Sequence, residues 1–505
     1  MAFVVKQTPG YLTMAAGQQI IYVISDDTSV MTTELMVKVN AQVQVNRLQS
    51  MNPAGTIHSS SYSSTPNSAG VCIFDFGKII ENYVTPQYNG VISDIPSTAS
   101  SFQGVDYSED TAYHSIHNID KYCLAPEPVN YFSVILTLEY LGADPNFPNQ
   151  VNEAVGYYNG TPVFFTYNGV IYNTDKLSYV TANDPSFGYD LATNEYILMG
   201  KALGHFLTDM PLTFEARVED YGTVAFFNLL DPSDYTFETQ GASSDEGVDY
   251  MMIKCWDGVD GTGSQIGLDI TVTNRQTNGG WSGISPDLAA STTDTQGAKL
   301  HYLFAGVYPA NLRGWSSTFQ AAVAGGTMAS YTIQPVANPG SYCGMQYTCN
   351  IISGDCRYES IRLAWLNKHG AWDYYTFTKK SVRTLTSKHT QYKKLDGTWN
   401  EGTFSLNKNQ GGRKNFKTNT TEKIRINTNY INEETAVWLE QLQTSNEVMI
   451  IKDYFAGGTM EVIRAFTEPC TLTSTSFTKK TVGNDKLIQY TFEIEKAVEI
   501  KSQGA

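Results

Sequence analysis

RYESIRLAWLNKHGAWDYYTF, residues Arg357 to Phe377, is the most patterned stretch of the chain, and its reading decides the fold. Ile361, Leu363 and Trp365 alternate with Arg362, Ala364 and Leu366, the period-two spacing of a strand that turns one face to a core. After Asn367, Lys368, His369 and Gly370 comes a second run with Trp372, Tyr374, Tyr375 and Phe377, residue types that favour strands. Asn opens the four intervening residues, where its side chain can bond nearby backbone. Gly closes them, where a positive φ carries no steric penalty. The stretch predicts a β-hairpin whose residues serve packing, with no chemical role.

The same period extends outward from it. Leu35, Val37, Val39, Ala41, Val43 and Val45 alternate with Lys38, Asn40, Gln42 and Gln44, which predicts a half-buried antiparallel strand. Shorter strand-like runs recur at 19–24, 131–140, 196–203, 212–218, 222–230, 250–256, 266–272, 300–307 and 331–336. Four more follow at 448–455, 460–466, 471–481 and 487–500. Asn168-Gly169, inside 161–172, reads as the turn of a further hairpin. Helical spacing is confined to a short segment near 78–84 and to 433–442, where Asn432 offers an N-cap and Glu433 and Glu434 suit the helix dipole. The expected fold class is mainly β: several antiparallel β-sandwich-like modules with a few short helices.

A chain of 505 residues is too long for one core, and roughly three domains are expected. The composition places them at 1–128, a β domain with the short helix; at 129–356, an acidic middle sandwich region of one or two modules; and at 357–505, a β-rich module with the 433–442 helix. Charge divides with them. Residues 1–356 hold 12 Lys/Arg against 34 Asp/Glu, a balance of −22, whereas 357–505 hold 22 against 16, a balance of +6. An acidic body disfavours nucleic-acid recognition, and two faces of opposite sign suit head-to-tail packing of subunits. The first residues, MAFVVKQTPGYLTMAAG, lack the pattern of a secretory signal, and no run reaches the roughly 18 apolar residues of a membrane span. Seven sparse Cys fit synthesis in a reducing cytoplasm.

Several residues invite a chemical reading, and none completes a constellation. His114 and His117 with Asp106, Asp110 and Asp120 resemble a ligand cluster, but no HExxH or paired-Cys motif extends it, so a polar loop is the expectation and no metal is assigned. DGVDGTG, 257–263, has the Asp and Gly of a calcium loop without EF-hand spacing and reads as a tight turn. Cys343, Cys349 and Cys356 match no zinc module. GxSxG, P-loop and dinucleotide-binding motifs are absent, so no catalytic residue and no cofactor is expected. Trp281 and Trp315 are candidates for stacking on a sugar.

Three stretches in this order, FDFGKIIENYV (74–84), HFLTDMP (205–211) and ESIRLAWLNKHGAWDYYTF (359–377), together with WLEQLQTSNEV (438–448), resemble virion structural proteins of tailed phages of Bacteroidota hosts, including crAss-like phages. The resemblance implies a β-rich tail or neck component and no enzyme. Taken with the patterned hairpin and the charge split, it leads to the expectation of a homo-oligomeric ring, collar or adaptor, made in the host cytoplasm and resident in the virion tail. Its partners would be other copies of itself and other phage tail, portal and fibre proteins. The alternative is a receptor- or carbohydrate-binding tail protein directed at a host surface glycan.

Overall fold

The alternation at 35–45 is realised as the strand Leu35–Arg47, with Val37, Val39, Ala41, Val43 and Val45 buried. Its neighbours are Thr56–Ser64 on one side and Val129–Leu141 on the other, both antiparallel. In that register Val43 lies opposite Val134, and Ala41 opposite Leu136. The six-stranded sheet is completed by Phe164–Val170, Thr13–Gly17 and Val151–Tyr158. A three-stranded sheet, Phe3–Gln7, Ile21–Asp26 and Cys72–Asp75, shares its core through Tyr22, Ile24, Phe74 and Phe76. Two sheets closing on one apolar layer is the economical way to bury one face of each.

The computed structural model describes residues 3–9, 13–26, 30–47, 56–84, 122–125, 129–141, 151–158, 164–171, 204–227, 248–273, 302–337, 341–352, 357–397, 402–406, 411–452, 466–474 and 488–497. The chain forms two compact units: Met1–Ile352 with Leu366–Asp373, and Ser353–Trp365 with Tyr374–Ala505. The fold is mainly β, with several antiparallel sheets. A boundary at 128/129 is not what the pairing gives. Strand Val129–Leu141 runs beside Leu35–Arg47, so it belongs to the first sheet system, and Tyr122–Ala125 pairs instead with Tyr302–Gly306. Hydrophobic pattern alone cannot reveal such long-range pairing.

The first unit holds two more sheets. One is ordered Thr213–Ala216, Tyr347–Ile351, Ser330–Ala337, Val248–Trp256, Gln265–Thr273. The other is ordered Thr223–Phe227, Tyr302–Gly306, Tyr122–Ala125. Two short helices, Pro309–Trp315 and Ser317–Ala324, were not expected from spacing. Their signals are local: Pro309 stands in the first turn of one, and Ser316 Oγ caps the other by accepting from Phe319 N at 3.2 Å. Among the described residues no helix is long and apolar enough to cross a membrane.

The second unit is built on a seven-stranded sheet, ordered Trp372–Phe377, Ile361–Leu366, Val448–Lys452, Phe466–Leu472, Thr491–Lys496, Gly412–Asn427, Val382–Lys394. The opening hairpin is present, but its first strand does not have one wet face. Residues 361–365 are all buried, Arg362 included at 3% exposed. Arg362 Nη1 donates to Thr376 Oγ1 at 2.8 Å, and its guanidinium lies 5.4 Å from the Tyr374 ring centroid, so a cation stands where alternation predicted solvent. On the same strand Trp365 meets Trp438 of the helix Glu433–Thr444, ring centroids 5.1 Å apart. That helix starts as the sequence predicts, with Asn432 Oδ1 accepting from Thr435 N at 2.8 Å.

Trp365 is fully buried, and its removal leaves a cavity that the rigid hairpin cannot close. Trp365→Ala is expected to cost about 3–5 kcal/mol, read as a large fall in the thermal midpoint of the second unit. Val437→Ala, on the exposed side of the helix, should leave that midpoint nearly unchanged.

Candidate functional site

Three segments distant in sequence meet in the first unit: the bulge at Asn168-Gly169, the loop 204–211 and the hairpin loop 366–373. The first was expected to be a hairpin turn. Phe164–Val170 is instead one strand, parallel to Thr13–Gly17, and the register advances from Tyr167 opposite Ala15 to Val170 opposite Gly17. One extra residue is accommodated there, so Asn-Gly supplies a β-bulge. Val170 N, freed by the bulge, donates to Lys368 O at 2.7 Å.

Asn367 organises the hairpin loop. Its Oδ1 accepts from His369 N at 2.9 Å and from Ala371 N at 3.0 Å, while its Nδ2 donates to Leu207 O at 2.9 Å. Gly370 then takes φ +73, and a Cβ there would collide with the Asn168 carbonyl oxygen. Around this frame sit the titratable groups. Lys368 Nζ lies 2.9 Å from one Asp209 oxygen, and His369 Nε2 lies 3.2 Å from the other. Thr208 Oγ1 donates to Asp373 Oδ1 at 2.6 Å and accepts from Met210 N at 3.0 Å. Two of the sequence landmarks thus meet, 205–211 and the 366–373 part of the hairpin, which their separation of about 160 residues conceals.

A carboxylate shared by Lys and His, beside a Thr-Asp pair, has the composition of a proton-transfer site. Its geometry is that of a clamp. The bonds of Val170 to Lys368, Asn367 to Leu207, Thr208 to Asp373, and Lys368 and His369 to Asp209 each tie one loop to another, and His369 and Asp373 are buried. Among the described residues, no group of three or more His, Cys, Asp or Glu can hold a metal ion.

The other residues read as candidates divide between turns, core and segments outside the description. His114, His117, Asp106, Asp110, Asp120, Trp281 and Cys356 lie outside the described residues, as does the Trp315 side chain. DGVDGTG is a tight turn: Asp257 Oδ1 accepts from Ser264 N at 2.6 Å, and Asp260 takes φ 56 with its N–H donating to Asn350 Oδ1 at 2.8 Å. Cys343 and Cys349 are buried and form no disulfide, and burial pushes the Cys343 thiol up to about 12.

What the sequence reading missed is a ribbon. Val382–Lys394 pairs antiparallel with Gly412–Asn427, and every residue of the first strand is exposed. Only Lys423–Asn427 also pairs with the sheet, through Thr491–Glu495, so the rest of the ribbon extends roughly 30 Å with no described strand beside it. With no buried face there is no apolar alternation to read. The available signal was its run of Thr, Lys and Arg between turn-forming glycines.

The base of the ribbon is locked by charge. Arg383 Nη2 bridges both Glu359 oxygens at 2.6 and 2.7 Å, and its Nη1 reaches Glu422 at 2.8 Å. The second Glu422 oxygen pairs with Lys496 Nζ at 2.9 Å. Burial works to raise the Glu422 pKa, but hydrogen bonds from Lys496 and Arg383, with their charges, outweigh it and hold the carboxyl below the ordinary 4.5.

Two outcomes are expected. Gly370→Ala should lower the thermal midpoint far more than Gly326→Ala. Both glycines have positive φ, worth roughly 1–2 kcal/mol to a residue with a Cβ, but only Gly370 also meets backbone. Glu422→Gln should destabilise at neutral pH. Because folding lowers the Glu422 pKa, its contribution is full above 4.5 and vanishes as pH falls through the lower folded value. The gap between the wild-type and Glu422→Gln melting midpoints should therefore close in acid. Comparison with protein-family models and with curated proteins returns no match for this chain.

Proposed function

We propose that the chain is a structural protein of a phage virion, a tail or neck component that assembles as a homo-oligomeric ring, collar or adaptor around or between other tail proteins. The observation that carries this reading is the ribbon of 382–427. A chain does not gain stability by extending a strand whose every residue stays wet, because the ordering cost is not returned by burial. Such an element is worth its cost when another surface covers it. The landmark loops support the same reading, since the Asn367, Lys368, Thr208 and Asp209 side chains all bond from one loop to another. The resemblance of those landmarks to phage virion proteins supplies the setting.

Purified full-length chain, examined by native mass spectrometry and electron microscopy, should form closed rings with one repeated subunit contact. In purified particles the same copies should encircle or join tail parts. A chain that stays monomeric at high concentration, and appears in particles as isolated copies, defeats the reading.

A further inference from the structure

We propose that the ribbon is a docking arm that lies on an acidic face of a second copy of this chain. The inference rests on the ring reading and names the contact that builds it.

Charge is the first argument. Residues 382–421, the ribbon short of its base at Glu422–Asn427 together with the tip, contain 8 Lys/Arg and 2 Asp/Glu and so carry +6. That equals the whole excess of 357–505, whose other residues hold 14 of each sign. The protein is therefore an acidic body, a neutral second module and one basic arm. At the base of the arm, Arg383, Lys423 and Arg425 are matched by Glu359, Glu422, Glu493 and Glu495. Farther out, Lys388, Lys393, Lys394, Arg413 and Lys417 make no ion pair with any described residue. Carboxylates of an approaching surface can pair with them.

Apolar surface is the second argument. Leu385, Tyr392, Leu395, Phe404, Leu406 and Phe416 are all exposed on this arm, Phe416 at 76%. Phe416 is the bulged residue of the ribbon: Thr390 faces Lys417 and Gln391 faces Asn415, which leaves Phe416 between them without a cross-strand partner. A bulge twists the strand and re-aims that side chain. Bare phosphate recognition has no use for such a surface, and the −22 of residues 1–356 repels nucleic acid.

The body offers a matching face. Glu215 lies opposite Asn350 in the register of their strands, and Asn350 Nδ2 donates to Asp260 Oδ1 at 2.7 Å, which gathers Glu215, Asp257 and Asp260 at one end of a sheet. Val259 and Leu268, both exposed, stand in the same hairpin. Basic arm and acidic face are different surfaces of one chain, so the contact is heterologous. A repeated heterologous contact closes into a ring when its rotation allows.

The test is a charge exchange in the full chain, followed by sedimentation velocity at low and high salt, with circular dichroism to check folding. One variant reverses the arm (Lys393→Glu, Lys394→Glu, Arg413→Glu), and the other reverses the face (Glu215→Lys, Asp257→Lys, Asp260→Lys). Wild type should assemble and dissociate as salt rises. Each variant alone should lose the oligomer, and the two mixed should regain it. Phe416→Ser should weaken assembly without changing its salt dependence. Variants that assemble like wild type overturn the arm while leaving the ring intact. A monomeric wild type ends the ring reading and this inference with it, and a wild type that instead retards duplex DNA shows the arm to be a nucleic-acid element.

Discussion

Burying a turn is costly, because its backbone groups leave water without the ladder of a sheet to receive them. Asn367 resolves that cost for the loop on which this fold turns. One side chain accepts from two backbone N–H groups of its own loop and donates to the carbonyl of Leu207. Each of these groups, left unpaired, would cost roughly 1–3 kcal/mol. The rest follows from the loop being closed in this way. Gly370 must take a positive φ, the Asn168 carbonyl approaches where no Cβ fits, and Lys368 and His369 come to the same Asp209 carboxylate. The cluster has a catalytic composition, and its bonds tie the three loops together.

The same distinction explains what the sequence disclosed and what it withheld. The strand at 35–47 and the helix from 433 were legible because each meets a core with one face, and a single face imposes a period. Arg362 broke the period because the strand carrying it is buried along 361–365, where Thr376 accepts from its Nη1 and the Tyr374 ring lies against its guanidinium. Asn168-Gly169 misled for a related reason. The φ freedom that makes Asn-Gly a hairpin turn also makes it a bulge, and the choice is set by strands far away in sequence. The meeting of 205–211 with 366–373 could not be seen in either stretch alone. The ribbon was invisible in the opposite sense: it has no core face, and period-based reading has nothing to detect.

Charge carries information that period does not. The change of sign near residue 357 reads from the sequence as a difference between two domains. In the structure the basic excess belongs to one element, the ribbon, and the remainder of its module is neutral. Its cations fall into two groups with different duties. Those at the base are paired with carboxylates of the sheet and with that of Glu359. Beyond the base, Lys388, Lys393, Lys394, Arg413 and Lys417 are exposed.

That division also separates a purposeful edge from a hazardous one. A long, flat, exposed strand invites pairing with any other edge, and natural proteins oppose this with charge, lysine above all. Lys388, Lys393 and Lys394 on the outer strand and the bulge at Phe416 provide that protection. If protection were the whole purpose, the cheaper solution would be a short strand, or one without Leu385, Leu395 and Phe416. A ribbon that keeps its apolar side chains while surrounding them with cations rejects neutral and basic edges and accepts an apolar surface rimmed by carboxylates. Selectivity of that kind is a property of an interface.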